Sequence, residues 1–518
     1  AQKIRKQVHI RIIGDYDVDG VTSSHLFLTA LRRVGAKVDV VIPHRIQDGY
    51  GLSLHLLQQA KEDGVDTILT CDNGIAAIDE IAWAKAQKMT VLVTDHHAVP
   101  FEEHEGRRTE KKSLADAVVN PHQQDCGYPY KELCGAGVAW NVIRVLYENY
   151  DMDKREAEDL LDFVAMATVC DVMSLTGENR ILVKEGLKRI RHTKNIGLQA
   201  LMQACNVQPE NISAYHFGYV LGPCVNATGR LDTARHALRL FETGQETEAE
   251  EIARDLVDLN QERKELTLQG VEMAKKLCEE GGYENDPVLV LFLPDVHESI
   301  AGLIAGRIRE MYNRPVFVLT RGEEGVKGSG RSTENYSMYE NMCGCAELFT
   351  KFGGHPMAAG LSLPEENVEK FRRKINENCP LTVEEVCPDI HIDMAMPVGY
   401  ASTELVHQFA LLEPFGKDNP SPLFADRNLS ISRMWLIGKN RNVLRMSVLS
   451  EYGQPVPVIF FGDVETLFAY FTEKFGQEEV ENALHGRKNR ILFSMVYTAK
   501  IDFYQGNENL QLEMKYYR

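Results

Sequence analysis

The sequence predicts an α/β protein: a parallel-sheet domain joined by a long helix to a second α/β domain, with a C-terminal all-β barrel beyond. Three observations carry this. Short apolar runs alternate with amphipathic segments through the first part of the chain. The stretch Glu246–Glu280 is long, charged, helically periodic and free of proline. Beyond residue 385 the helical period gives way to residue-by-residue alternation.

The runs Val8–Ile13, Val38–Ile42, Thr67–Cys71 and Thr90–Thr94 read as buried strands, with Thr22–Val34, Leu54–Asp63 and Ala76–Gln87 as the helices between them. Such alternation gives βαβ units, so the sheet is mostly parallel with helices on both faces. Arg155–Val169 reads as a helix with a dense apolar face, and residues 190–285 read as helical throughout. Glu246–Glu280 suits a connecting helix, with a coiled-coil partner surface as the alternative. A second α/β unit opens near Pro287, with strands Val288–Leu293 and Val316–Thr320 around the helix Ser299–Tyr312. The glycine-rich segments "GSGRS" and "FGGHPMAAG" read as turns. Farther on, Leu429–Trp435, Val443–Leu449, Val456–Phe461 and Ile491–Phe503 alternate like strands of a small barrel, and "GNEN" at 506–509 reads as a hairpin turn. The expected domains are 1–190, 191–285, 286–384 and 385–518.

At 518 residues the chain is too long for one compact core. No apolar run approaches the roughly 18 residues of a membrane span and no signal peptide opens the sequence, so a cytoplasmic protein is expected. Eleven scattered cysteines fit a reducing compartment better than a disulfide framework. Cys343 and Cys345 are the closest pair and lack the second pair that zinc would want. The net charge of −18 argues against a protein that coats nucleic acid with a basic surface, while leaving room for a local basic channel. The chain opens on Ala1, close to the first strand, so a preceding natural segment is expected.

Chemistry concentrates at strand ends. In "GDYDVDG", Asp15, Asp17 and Asp19 stand at alternate positions just past the first strand. Carboxylates so placed repel one another unless a cation intervenes. "TILTCDNG" runs into Asp72, and "VLVTDHH" runs into Asp95, His96 and His97. Ligands of open parallel sheets bind beyond the carboxyl ends of strands, so separate crossings deliver aspartate and histidine to one edge. Hard carboxylates with one or two imidazoles suit Mn²⁺ or Mg²⁺, and this many carboxylates calls for two ions. A two-metal site binds both an attacking water and a phosphoryl oxygen, which points to a phosphoester or phosphoanhydride hydrolase. The alternative is helix capping, worth roughly 1 kcal/mol per residue. It accounts for Asp15 or Asp95 taken singly, but not for Asp17, Asp19, Asp72 and His96 together.

These residues carry a resemblance. "GDYDVDGVTSS", "CDNGI" and "TDHH", in this order, resemble the first three motifs of the DHH phosphoesterase superfamily. "ATVCDVMSLTGENR" resembles the fourth, with Asp171 in the acidic position. The series "NPHQQDCGYPYKELCGAGVAW", "LGPCVNATGRLD", "GSGRS", "FGGHPMAAG", "LEPFGKDNPSPLF" and "YQGNENLQL" is similar to the RecJ family of single-stranded-DNA-specific 5′-to-3′ exonucleases. It covers nearly the whole chain; the N-terminal piece usual in that family is mostly missing. The resemblance implies Asp17, Asp19, Asp72, His96 and Asp171 as metal ligands, with Asp72 bridging. Asp72, His96 and His97 would form the catalytic group, His97 lying against the scissile phosphate or helping to hold a metal. Many relatives place a histidine ligand four residues before the first core aspartate. Here that position is Ile13, so Asp15 is a candidate to complete the site.

The second α/β unit resembles the DHHA1 domain. There the resemblance implies that Ser329, Arg331 and His355, together with Arg230 of "NATGRL", hold a terminal 5′-phosphate. His297 matches a family histidine, with a helix-start cap as its alternative role. The barrel resembles an OB-fold. From Phe424 to Ser447 it carries five basic residues against one acid, with Trp435 among them. Trp435, Lys439 and Arg441 are the DNA-binding candidates, since basic groups beside an aromatic platform suit single strands. The alternative is a core tryptophan under a solvated charged face. The implied function is a two-metal exonuclease releasing mononucleotides in DNA repair and recombination, with a single-strand-binding protein and a RecQ-type helicase as partners. The rivals are a DHH–DHHA1 phosphodiesterase acting on short oligonucleotides or cyclic dinucleotides, and a catalytically idle DNA-binding scaffold.

Overall fold

The structure, a computed structural model, describes residues 1–518 apart from 46–47, 50, 105–106, 284, 323–324, 383–389, 439–440 and 505–506. The chain forms two compact units, Ala1–Asp389 and Ile390–Arg518. Among the described residues no helix is long and apolar enough to cross a membrane.

The first unit opens with a five-stranded sheet of β1 (His9–Ile13), β2 (Lys37–Val41), β3 (Thr67–Cys71), β4 (Thr90–Thr94) and β5 (Ala117–Val119). Its order is β2-β1-β3-β4-β5 and every pairing is parallel. Chain direction across the sheet therefore reverses between β1 and β3, the crevice where open α/β sheets bind their ligands. All five residues of β3 are buried, which explains why its sequence is an apolar run rather than an alternation. Helix α1 (Val18–Arg33) follows β1 and is buried nearly all round, from Val18 through Leu28. It lies between the sheet and the helices α2 (Gly135–Glu148) and α3 (Leu161–Cys170). The expected helix Arg155–Val169 is split: Lys154–Leu160 is a 3₁₀ segment, and α3 begins at Leu161.

After α4 (Gly222–Leu231), helix α5 (Glu246–Glu280) runs 35 residues, roughly 50 Å at 1.5 Å per residue. Its Ala249, Ile252, Ala253 and Leu256 belong to the first core. Its Val271, Ala274 and Cys278 belong to the core of the next sheet. One uninterrupted helix thus holds two cores, so it fixes the spacing between them.

That next sheet contains β6 (Leu289–Phe292), β7 (Val316–Gly322), β8 (Gly325–Arg331), β9 (Lys351–Gly354) and β10 (Ala358–Leu363), with α6 (Ala301–Tyr312) between β6 and β7. Its order is β9-β10-β8-β7-β6; only β6 and β7 run parallel. The segment "GSGRS" is not a turn. Gly328–Arg331 lie inside β8, paired on both edges. The glycines serve packing: a Cβ on residue 328 would lie 2.4 Å from Leu319 Cδ2, and one on residue 330 would lie 2.7 Å from Phe317 Cε1. "FGGHPMAAG" does turn, as the β9–β10 hairpin closed by His355 N donating to the Ala358 carbonyl.

The second unit is a barrel of β11 (Met394–Ala395), β12 (Phe424–Ile437), β13 (Val443–Leu449), β14 (Pro455–Phe460), β15 (Leu492–Tyr504) and β16 (Asn507–Tyr517). Pairing of β12 with β15 closes the circle. The stretch expected to be all-β also contains the helices Val464–Phe475 and Gln477–Leu484, whose Val464, Leu467, Phe471 and Val480 join the barrel core. Asn507–Asn509 pair within β16 instead of turning; Gly506, the first residue of that expected turn, lies outside the described residues.

Helix α1 buries a histidine in an apolar setting. His25 lies 4.5 Å from the Phe163 ring and 5.9 Å from Phe241 by centroid, and its Nδ1 has no hydrogen-bond partner among the described residues. Burial, reinforced by Arg32, lowers its pKa to about 4 from 6.5. The folded state accepts only the neutral ring. Its stability is therefore undiminished above pH 6.5 and falls as the pH drops toward 4, by on the order of 3 kcal/mol. His25→Leu is expected to flatten that part of the melting temperature–pH curve; an unchanged slope would show that His25 is not buried neutral.

Candidate metal centre

Three strand ends and one helix end converge. Asp15, Asp17 and Asp19 follow β1, Asp72 follows β3, and Asp95, His96 and His97 follow β4. Asp171 is the residue that closes α3. Asp72 sits at φ +61°, and Val172, just after Asp171, at φ +55°. A β-branched residue there is a real outlier, and such outliers collect where the fold holds a functional group in place.

Each side chain has its own anchor. Asp17 caps α1, accepting from Gly20 N at 3.0 Å. Asp19 accepts from Gly135 N at 2.6 Å and Ala136 N at 2.7 Å, so its carboxylate sits on the N-terminus of α2. A helix N-terminus stabilises that charge. Residue 135 has no room for a side chain, because a Cβ would lie 2.7 Å from Asp72 Cβ. Asp95 is an orienting residue. It accepts from Ile75 N at 2.9 Å, His96 N at 2.7 Å, His97 N at 3.0 Å and His97 Nδ1 at 2.7 Å.

The donor atoms fall into three overlapping groups, each with all its atoms within 4.8 Å of one another: Asp15, Asp17 and Asp72; Asp19, His96 and Asp171; Asp72, His96 and His97. His96 Nε2 is 3.1 Å from Asp72 Oδ1, 3.5 Å from Asp171 Oδ2 and 3.7 Å from Asp19 Oδ2. The structure therefore brings together every residue implied as a ligand, and Asp15 with them. Ile13, in the position of the missing histidine, is fully buried in the core.

Electrostatics shows what the cluster wants. Burial, then the charges of Asp19, Asp17, Asp171 and Asp15, push Asp72 well above the ordinary carboxylate range. Burial and Asp17 do the same to Asp15, and burial and Asp19 raise Asp17. Burial lowers His96, keeping it neutral and able to donate a lone pair. Burial opposes charge on His97 too, but its bond to Asp95 and the surrounding carboxylates raise it to about 9. Both oxygens of Asp15 are buried without a well-aligned donor among the described residues. Crowded hard oxygens, a neutral imidazole and an unsatisfied buried carboxylate fit divalent cations, which would reverse each carboxylate shift.

Beside the cluster lies a cavity of about 510 Å³, lined by Tyr16, Arg45, Lys327 and Ser329 among others. Arg230 Nη1 donates to the carbonyl of Ser299 in its wall at 2.6 Å. Arg331 lies on Gly302, where a Cβ would be 2.9 Å from its Nη2. Desolvation, then Arg45, Arg263 and Arg331, lower Arg230 to about 10; desolvation, then Arg45, lower Arg331. Among the described residues none of Arg45, Arg230 and Arg331 forms an ion pair with a carboxylate. Arg45 in the cavity wall, with the mutually repelling Arg230 and Arg331 near it, fits an anion such as phosphate. His355 is exposed at the β9–β10 turn and does not line this cavity, whereas Lys351, Phe352 and Gly353 do. His297 caps the 3₁₀ segment Glu298–Ile300, its Nδ1 2.7 Å from Ser299 Oγ.

In the second unit Trp435 is half-buried and lies opposite Arg445 on the next strand. Arg433 and Arg445 stand over its ring at 5.7 and 5.9 Å. Arg441 is in the β12–β13 turn at φ +52°, and Lys439 lies outside the described residues.

Sequence reasoning misses Arg45 and the N-terminus of α2. Arg45 is a lone basic residue in a loop, stacked over Tyr16 at 4.8 Å, and nothing in its spacing marks it. The small-residue run "CGAG" is a usable signal for a close approach by another chain segment.

Residues 9–168 match the DHH family N-terminal domain, residues 285–379 the DHHA1 domain and residues 392–516 the RecJ OB domain. The single-stranded-DNA-specific exonuclease RecJ of Haemophilus influenzae is 33% identical over 531 residues, covering 98% of this chain and 88% of that protein. The Escherichia coli protein of the same name is 32% identical over 533 residues, covering 98% and 87%. The Bacillus subtilis one is 34% identical over 457 residues; the match takes in 88% of this chain and 56% of that protein, so the chain spans about half of its length. Among solved structures, RecJ of Thermus thermophilus in complex with Mn²⁺ superposes with a TM-score of 0.80 at 26% identity, covering 100% of this chain and 70% of that one. An exonuclease RecJ bound to manganese gives 0.61 at 32% identity, covering 73% and 91%. With relatives this similar over nearly its full extent, the chain belongs to the RecJ family.

Proposed function

We propose that this chain is a metal-dependent exonuclease that degrades single-stranded DNA from the 5′ end, releasing mononucleotides, in DNA repair and recombination. One observation carries the reading. Tyr16 stands between Asp15 and Asp17 of the carboxylate cluster and also lines the cavity that Arg45 lines. A site for cations and a site for an anion thus share a wall.

Asp15, Asp17 and Asp72 would hold one Mn²⁺ or Mg²⁺, and Asp19, His96 and Asp171 a second, with Asp72 close to both. When bound, such ions supply Lewis-acid activation of a phosphoryl group and of water. Arg45, Arg230, Arg331 and Ser329 grip the terminal 5′-phosphate, so the first internal phosphodiester is the one presented to the cluster. Asp95 holds Nδ1 of His97, which leaves Nε2 as the atom that would donate a proton to the departing 3′-oxygen. A nucleotide-scale cavity admits one strand and excludes a duplex, so selection is by shape. Trp435 with Arg433 and Arg445 suits base stacking in the second unit. The DHH, helical, DHHA1 and OB segments would divide this work as 1–190, 191–285, 286–384 and 385–518. A RecQ-type helicase that opens duplex and a single-strand-binding protein are the proposed partners, in the cytoplasm.

Long 5′-labelled single strands with Mn²⁺ are expected to release labelled mononucleotide, and a chelator to stop it. Cleavage of dinucleotides alone would favour the short-oligonucleotide rival. Asp72→Asn is expected to lower the rate more than about a hundredfold, while the melting temperature measured with a chelator holds or rises as one repelling carboxylate is removed. Unaltered Mn²⁺-dependent activity in that variant would remove the cluster from catalysis. Arg45→Ala and Arg331→Ala are each expected to cut the preference for 5′-phosphate over 5′-hydroxyl ends by about ten- to a hundredfold, read as the ratio of kcat/KM values. Equal losses on both kinds of end would place these arginines elsewhere in the mechanism.

A further inference from the structure

Helix α4 continues a single turn, Ala214–His216, and a π-helical turn, Phe217–Leu221. Along this run Arg230, Asn226 and Gly222 recur every four residues and so share one face of α4, and beyond them Tyr219 and Tyr215 follow, again four apart. Each of the first three addresses the site. Arg230 reaches the cavity wall at Ser299. Asn226 Oδ1 accepts from Val18 N, the residue after Asp17, at 3.1 Å. Gly222 seats Cys170, the neighbour of Asp171; a Cβ there would lie 2.3 Å from its Sγ. The π-turn is braced against the same helix end, since Cys170 Sγ donates to the Phe217 carbonyl at 3.2 Å. π-Turns concentrate at functional positions.

The run ends in two tyrosines at the opposite end from Arg230. Tyr215 and Tyr219 stack at 5.1 Å between centroids with 24° between planes, yet they remain 62% and 71% exposed. Single exposed apolar residues need no explanation, but a preformed stack with its outer ring face open to water is a platform. At 1.5 Å per residue Tyr219 stands roughly 16 Å from Arg230 along the helix, with the Asp17 and Asp171 contacts in between. A strand whose 5′-phosphate sits at Arg230 and whose next phosphodiester meets the carboxylates reaches the tyrosines on its 3′ side.

We propose that Tyr215 and Tyr219 form a base-stacking platform for the nucleotides just 3′ of the scissile phosphodiester of single-stranded DNA. This rests on the function proposed above. Aromatic stacking accepts any base, so the platform positions the strand without reading its sequence. It supplies grip beyond the first nucleotide and makes longer strands better substrates than dinucleotides.

The test uses the full chain and two readouts. In Y215A/Y219A the gain in kcat/KM between a 5′-phosphorylated dinucleotide and a long strand is expected to shrink about ten- to a hundredfold, and Y215F/Y219F to restore it. An abasic site in the downstream strand should weaken the parent enzyme and add nothing to the alanine variant. Separately, 2-aminopurine placed a few nucleotides from the 5′ end should be quenched on binding to the uncleaving Asp72→Asn protein, and less so when the tyrosines are also alanine. An unchanged length dependence with unchanged quenching overturns the platform even if long strands are degraded. Lost quenching with no degradation by the parent chain upholds the platform and overturns the exonuclease reading instead.

Discussion

Mutual repulsion among buried carboxylates is what the rest of this structure has to withstand. Asp15, Asp17, Asp19 and Asp72 stand at adjacent strand ends, and Asp171 is brought in by a helix. At separations of a few ångströms and low local dielectric, like charges cost several kcal/mol unless protons or cations intervene. The raised positions of Asp15, Asp17 and Asp72 are that cost expressed as proton affinity. A fold that keeps the cluster must hold every member rigidly, because each could lower its energy by swinging into water.

The holding is done with backbone. Asp17 is pinned by its own helix, Asp19 by the N-terminus of another, and Asp72 by a left-handed turn with Gly135 packed against it. Asp95 takes four N–H donors and in return fixes both histidines, so it acts through them rather than as a further ligand. The sheet order makes this possible. β1 and β3 are neighbours on which the chain departs in opposite directions, and their ends therefore share an open crevice that no crossover covers.

What is legible in the sequence follows from range. β3 and β4 have the bounds that their apolar runs predict, because such a run is a local signal, and so does Glu246–Glu280. Aspartates and histidines at strand ends are legible for the same reason. Two kinds of feature are not. Glycines of β8 look like turns, because sequence cannot distinguish a glycine needed for positive φ from one needed so that Leu319 and Phe317 can lie over it. The long-range contacts are also hidden: Arg45 over Tyr16, and Asp19 on Gly135 more than a hundred positions away, depend on packing that no spacing encodes. The company of its glycines suggests His355 for the anion site, yet the hairpin turn carries it to the surface.

Opposite demands on one short wall give the site its direction. The chain carries a net charge of −18, so a DNA strand is repelled by most of the protein. Two basic features are local: Arg45 in the cavity wall with Arg230 and Arg331 near it, and Arg433 and Arg445 over Trp435 on the barrel. A strand interior offers one charge per phosphate, whereas a 5′-phosphate end offers nearly two and can be gripped from several sides at once. On the proposed reading, Arg45 in the cavity wall with Arg230 and Arg331 beside it would discriminate an end from a middle far better than a broad basic surface. Because Tyr16 stands between two of the carboxylates and also in the cavity wall, choosing the end would also choose the bond. In the proposed mechanism directionality would then need no reading of sequence and no moving part; it would follow from which end of one helix carries Arg230.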